Sequence, residues 1–364
     1  MAVLGVVIMN TGTPDEPTPE AIRPYLKQFL SDRNLIDMPP ALWQPILNLF
    51  ILPSRPKRTA PLYQSIWTPE GSPFIKDSLA QRDALEARLG ELVGDSVAVR
   101  VGMRYGNPSV ESALRELRDA GAKTIVALPL YPQYTKSCAG TCFEEFGRAF
   151  KRVYGHAPEG EGAGSGASNG KVPFAEGSAS ASITAPTANA PRVVRIEHYW
   201  DAPGYLQALA RSVRRAWDYA PGSKLVVSFH SIPMSHAHAG DPYPEQTLAT
   251  VRALADELGI PRGDVRLAYQ SRFDSRTWIG PFLEPVLSRL AKEQAKNVAV
   301  VCPGFATDCL ETLNEVGQLA ARHFEEECAR FGNEGARFTY VPALGADPAL
   351  IETLAHAVAC RVNS

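Results

Sequence analysis

Strand-like and helix-like patterns alternate along this 364-residue chain, and no other feature limits its fold so strongly. Residues 3–9 are an apolar run of strand length. Thr18 then offers a side-chain cap and Pro19 a first helical position, and Ile22, Leu26, Phe29 and Leu30 make an apolar stripe at helical spacing. Ser72-Pro73 repeats that start signal ahead of Ile75, Leu79, Leu85 and Leu89. Further strands are expected at 97–103, 124–130, 193–197, 225–229, 265–269, 298–301 and 338–341. Helices are expected at 109–120, 203–218, 244–258, 278–293, 308–330 and 347–360. Repeated β-α units of this kind build mainly parallel, doubly wound sheets.

The alternation pauses at 155–190, a stretch dominated by Gly, Ser, Ala and Pro. Such a segment buries too little apolar surface to repay the entropy of ordering it, so it reads as a flexible insert. Three parts are expected: an N-terminal Rossmann-like domain over 1–154 with an apolar lip at 38–58, the insert at 155–190, and a C-terminal Rossmann-like domain over 191–364. The last helix is expected to pack back on the first domain.

Several functional classes are disfavoured. A net charge of −2 gives no basic signature for nucleic acid. No run of about 18 apolar residues is present to span a bilayer, and the apolar start lacks the basic flank and cleavage site of a signal peptide. The turn at Gly12-Thr13 lacks the spacing of a dinucleotide fingerprint, and no phosphate-binding GxxxxGK[ST] run occurs. The six cysteines, at 138, 142, 302, 309, 328 and 360, follow no metal-binding run and fit reduced thiols in a cytoplasmic protein.

Three constellations could carry chemistry. His230 ends an apolar strand; it is either a packed histidine bonded to backbone or a proton acceptor or metal ligand. Asp308, Glu311 and Glu315 are spaced three and four apart along one helix face. They are either a cap with a solvated acidic face or a row able to pass cations and protons. Residues 42–52 are more apolar than a surface helix needs, and Arg55, Lys57 and Arg58 follow. That segment is either a buried helix or an apolar lip with a cationic edge, suited to lipid or to an apolar ligand bearing carboxylates. His236 and His238 in a polar loop, and Trp200 and Trp278, are weaker features with ordinary structural readings.

Taken in order, the motifs resemble those of the ferrochelatases over nearly the whole chain. They run from Asn10-Thr11-Gly12-Thr13-Pro14, Phe29-Leu30-Ser31-Asp32 and Gly71-Ser72-Pro73 to Met103-Arg104-Tyr105-Gly106 and Leu128-Pro129-Leu130-Tyr131-Pro132-Gln133-Tyr134. They continue through Phe229-His230-Ser231-Ile232-Pro233, Gly240-Asp241-Pro242-Tyr243, Gln270-Ser271-Arg272-Phe273, Trp278-Ile279-Gly280-Pro281 and Cys302-Pro303-Gly304-Phe305 to Glu311-Thr312-Leu313. The resemblance implies two Rossmann-like domains with a porphyrin cleft between them. It also implies an enzyme that inserts ferrous iron into protoporphyrin, releasing two protons, with His230 and Glu311 as the catalytic and metal-binding pair. Thr11, Leu42, Tyr63, Ser72 and Tyr105 are then expected to bind the porphyrin, as are Gln133 and Trp200, with Arg55 and Arg58 for its propionates. Porphyrin and ferrous iron are the expected partners, with no tightly bound cofactor, and the chain is expected to be a monomer touching the membrane peripherally through 42–58.

The chain departs from the family pattern in places. Leu319 stands where relatives often carry a further acid, which shortens the acidic row. Position 11 is Thr, and the absence of Tyr there favours protoporphyrin over coproporphyrin. No C-terminal cysteine group is present, so no 2Fe–2S cluster is expected. A coproporphyrin chelatase, a chelatase for another metal and a non-catalytic porphyrin carrier are the alternatives.

Overall fold

The opening apolar run forms strand β1 (Val3–Asn10), buried along nearly all its length, as a strand covered on both faces of a parallel sheet must be. Helix α1 (Pro19–Leu30) follows, and the Thr18 hydroxyl caps it by accepting the Ala21 N–H at 3.3 Å. Helix α2 (Pro40–Ile46) runs into a π-helical turn at Leu47–Ile51, and α3 (Arg55–Gln64) and α4 (Pro73–Val93) lead to β2 (Val97–Met103). Then come α5 (Val110–Asp119), β3 (Ala122–Pro129), a π-helical turn at Lys136–Gly140, α6 (Thr141–Tyr154) and β4 (Arg192–Arg195). The sheet order is β2-β1-β3-β4, with every pair parallel.

A second set of elements repeats the plan. It comprises α7 (Pro203–Ala216), β5 (Ser223–His230), α8 (Met234–His238), α9 (Tyr243–Leu258), β6 (Val265–Gln270), α10 (Leu283–Lys292) and β7 (Asn297–Val301). A π-helix at Leu310–Ala320 continues into α11 (Ala321–Arg330), followed by β8 (Arg337–Val341) and α12 (Pro348–Val362). Its sheet order is β6-β5-β7-β8, again all parallel.

This computed structural model describes residues 3–36, 38–94, 96–158, 191–273 and 276–362. The insert expected at 155–190 lies outside the described residues from 159 onward. The chain divides into two units: one holds the residues up to Tyr131, Thr135–His198 and the chain from Ile351; the other holds Pro132–Tyr134 and Tyr199–Leu350. Strand β4 thus belongs to the first unit, although the expected C-terminal domain began at 191, because its Val193 and Val194 pair with Ile125 and Val126 of β3. Within that unit, α12 is tied down near its start by two hydrogen bonds from Arg88 to Glu352, at 2.5 and 2.9 Å. The Arg192 guanidinium also reaches the carbonyls of Arg361 and Val362.

Two expected helices differ in form. The helix expected from 278 begins at Leu283, because Trp278 bridges to Pro233 and the Pro281 carbonyl accepts the Tyr269 N–H at 2.8 Å. The helix expected over 308–330 is π-helical from Leu310 to Ala320.

The topology says where ligands collect. β1 pairs with both β2 and β3, and β5 with both β6 and β7, so the chain changes sides at each central strand. Crevices at such switch points open at the carboxyl ends of the strands. In the first unit that end carries Thr11 and Gly12. A Cβ on Gly12, at φ +98°, would lie 1.9 Å from the Tyr105 carbonyl oxygen, so only glycine lets the two loops approach. In the second unit that end carries His230.

Candidate active site

His230 is the last residue of β5 and is partly exposed. Its Nδ1 lies 2.6 Å from the Ser231 carbonyl oxygen. A carbonyl only accepts, so Nδ1 carries the hydrogen in the neutral ring and Nε2 keeps its lone pair. The Tyr243 hydroxyl donates to the His230 carbonyl at 3.1 Å, and the Trp278 ring lies 6.2 Å from the imidazole. His230 stands opposite Gln270, the last residue of β6.

Gln270 joins three strands' worth of structure. It is 2% exposed. Its side-chain oxygen accepts from Ser228 Oγ at 2.7 Å and from Cys302 Sγ at 3.4 Å, and its Nε2 donates to the main-chain oxygen of Glu311 at 2.7 Å. The start of the acid-bearing helix is thereby fixed relative to the strand that ends in His230. Ser271 adopts φ +61°. Its N–H donates to Glu315 Oε1 at 2.7 Å and its hydroxyl to Oε2 at 2.5 Å. Burial, with the Glu311 carboxylate adding to it, holds the Glu315 carboxyl above its usual range, although the Ser271 hydrogen bonds and the nearby His230 imidazole pull the other way. Glu315 therefore lies within electrostatic reach of both His230 and Glu311.

Asp308 does not continue this row. Its Oδ1 accepts from Thr312 Oγ1 at 2.9 Å, from the Tyr340 hydroxyl and from the Ala343 N–H. It is a bracket between the Thr312 side chain and the chain after β8; the helix is capped by Cys309 instead, whose N–H donates to Thr312 Oγ1 at 2.9 Å. Burial drives the Cys302 and Cys309 thiols well above their usual range, which keeps them protonated rather than thiolate ligands. Among the described residues no three His, Cys, Asp or Glu side chains form a group able to hold a metal ion, His236 and His238 included.

The other expected residues fall in both units. Thr11 Oγ1 is hydrogen-bonded to the Tyr131 hydroxyl, and its carbonyl accepts the Tyr105 N–H at 2.9 Å. The Tyr105 side chain, expected on a porphyrin wall, is 2% exposed. Its hydroxyl donates to Asp32 Oδ2 at 2.7 Å, alongside the Arg104 guanidinium and the Thr141 hydroxyl, because a buried carboxylate demands such donors. Gln133 is likewise 1% exposed and donates to Thr250 Oγ1 at 3.1 Å. Tyr63 is buried against Trp67, and Ser72 is buried ahead of α4. Trp200 is partly exposed.

The lip is open. Leu49 and Phe50 are 68% and 70% exposed, and Leu42 and Ile46 are also exposed. Leu47 and Leu52 are buried and the Trp43 indole N–H donates to the Leu30 carbonyl at 2.6 Å, so these three anchor the segment. Arg58 is exposed and reaches Ser54, while burial and its neighbour Arg58 lower Arg55 from the usual guanidinium range.

Sequence reasoning placed Gln270 and Ser271 at a strand end but gave them no part in the site.

Comparison with known proteins agrees with this architecture. The family model described as Ferrochelatase matches residues 3–161 and 175–362. A ferrochelatase of Thioalkalivibrio sulfidiphilus is 39% identical over 99% of this chain and 87% of its own length. Ferrochelatase 1 of Shewanella oneidensis is 38% identical over 96% of this chain and 93% of its own. Among solved structures, SirB from Bacillus subtilis with Fe3+ has a TM-score of 0.51 at 14% identity, covering 80% of this chain and 93% of that one. A multi-domain protein of Deinococcus radiodurans with structural similarity to chelatases has a TM-score of 0.53 at 14% identity; it aligns with 99% of this chain, which spans 55% of that protein's length. Those two likenesses concern the fold, whereas the family model and the curated relatives span nearly the whole sequence: the chain belongs to the ferrochelatase family.

Proposed function

We propose that this chain inserts ferrous iron into protoporphyrin, with His230 accepting the pyrrole protons and Glu311 and Glu315 receiving the metal. Iron insertion into a porphyrin, a metal-chelatase step of haem biosynthesis, is the activity its family membership carries. The finer assignment rests above all on one observation. The His230 ring has its Nδ1 committed to the Ser231 carbonyl, 2.6 Å away, so Nε2 is the basic atom.

The chemistry balances on these groups. A porphyrin with two pyrrole N–H groups and ferrous iron gives haem and two protons. A neutral imidazole is a suitable acceptor for a proton leaving nitrogen. The iron must exchange water for new ligands, and carboxylate oxygens such as those of Glu311 and Glu315 are ligands that permit this exchange. Arg55 and Arg58, on a helix with no acidic residue, suit the porphyrin's propionates, since guanidinium pairs bidentately with carboxylate. Thr11 supports protoporphyrin over coproporphyrin as the ring taken.

The open lip supports a further part of the reading. Leu42, Ile46, Leu49 and Phe50 expose apolar surface next to Arg55, Lys57 and Arg58, and such a face binds anionic bilayers peripherally. No helix among the described residues is long and apolar enough to cross a membrane. The protein is accordingly proposed to act in the cytoplasm, at the membrane surface. Anaerobic assay of the purified chain with ferrous iron and each of protoporphyrin and coproporphyrin tests the substrate assignment. Faster turnover of protoporphyrin is expected, and turnover of coproporphyrin alone would reverse it.

A further inference from the structure

Glu315 is a half-buried acid held in an unusual way. The charges it feels most strongly are the His230 imidazole and the Glu311 carboxylate. Its two oxygens are bound instead by one residue: the Ser271 N–H at 2.7 Å and the Ser271 hydroxyl at 2.5 Å. An arginine in that place would fix the carboxylate but would also neutralise it. Two hydrogen bonds from a neutral residue fix its orientation without a neutralising counter-charge beside it. The arrangement depends on backbone geometry. Ser271 sits at φ +61°, a region that side chains other than glycine seldom occupy, and there its N–H and Oγ converge on a single carboxylate. A serine kept in that conformation directly after Gln270, beside the strand that ends in His230, marks a site where local strain is retained for a purpose.

We propose that Ser271 is a positioning residue for iron delivery, acting through Glu315. The proposal rests on the reading of Glu315 as a group that receives the metal. The hydroxyl locks the carboxylate in one orientation, so that arriving iron meets a fixed oxygen pair beside Glu311 and His230.

The test is steady-state kinetics under anaerobic conditions, varying ferrous iron and porphyrin separately, with whichever porphyrin the wild type turns over. Ser271→Ala removes the hydroxyl and keeps the backbone strain, whereas Ser271→Gly removes the hydroxyl and relieves it. Both variants, confirmed folded by their melting temperatures, are expected to lose roughly tenfold in kcat/KM for iron, the size of one charge-assisted hydrogen bond. The KM for porphyrin should stay near that of the wild type. In a Glu315→Gln background neither change should cost anything more. A Ser271→Gly variant at wild-type rate, losses that add fully to those of Glu315→Gln, or a change confined to the KM for porphyrin would each overturn the proposal. Impaired Glu315→Gln beside a wild-type-like Ser271→Ala would overturn the role of Ser271 alone. A wild-type-like Glu315→Gln would overturn the reading of Glu315 on which that role depends.

Discussion

Gln270 Nε2 donates to the main-chain oxygen of Glu311 at 2.7 Å. Because Gln270 is also the strand partner of His230, this one hydrogen bond relates the His230 imidazole to the helix that carries the acids. Replacing Gln270 with Met keeps the volume but removes that donor, and leaves Ser228 and Cys302 without their acceptor. The variant should lose about 1–3 kcal/mol of stability and turn over more slowly at temperatures where it is folded. Thermal melts combined with anaerobic turnover check this. A lowered melting temperature with full activity would make Gln270 a purely structural residue.

The two acids should differ in weight. Glu311 is nearer the strand end, and both oxygens of Glu315 are already engaged by Ser271. Glu311→Gln is expected to lower turnover by about a hundredfold or more, within the range of a lost proton- or metal-handling group, and Glu315→Gln by less. Wild-type rates in Glu311→Gln would return the row to a solvated helix face.

Asp32 gives a pH signature in the first unit. Burial alone would raise its carboxyl, but the Thr141 hydroxyl, the Arg104 guanidinium, the Asn34 N–H and the Tyr105 hydroxyl outweigh it and hold the group below its usual range. A carboxyl lowered in the folded state contributes stability in full above its unfolded pKa, about 4, and loses it as pH falls through the folded value. Asp32→Asn should therefore cost about 3 kcal/mol near pH 7 by leaving Arg104 poorly paired. The gap to wild type should narrow below about pH 4. Urea unfolding at pH 7 and pH 3 measures it, and a gap that stays constant would contradict the assignment.

The lip prediction uses the exposed residues rather than the anchors. Trp43 is tied to Leu30, so Leu49→Ser/Phe50→Ser is the informative variant. Wild type should sediment with anionic vesicles at low salt and release at high salt, and the double variant should bind more weakly. A wild type that stays in the supernatant at every salt concentration would leave the lip without a membrane role.

Much of this was legible in the sequence. The eight strands among the described residues stand close to where apolar runs placed them, most plainly β1, since a strand buried on both faces has little freedom in composition. Thr18 caps its helix as its position before Pro19 implied. Three things were not legible. The π-helical form of Leu310–Ala320 leaves no mark in spacing, because residues four apart share a face in either helix. Tyr105 and Gln133 carry motif residues into the interior, because their polar groups satisfy Asp32 and Thr250, partners chosen only by tertiary folding. Ser271 and Gln270 act through backbone and amide geometry, and nothing in residue type alone separates them from other polar residues at strand ends.

The proposed proton acceptor for the reaction is the Nε2 of His230. That role is tested most directly by anaerobic turnover of His230→Ala with ferrous iron and protoporphyrin, alongside its melting temperature and porphyrin binding. The variant is expected to stay folded, to bind porphyrin still and to form haem at least about a hundredfold more slowly than wild type. A folded His230→Ala variant that inserts iron at a rate close to wild type would contradict it.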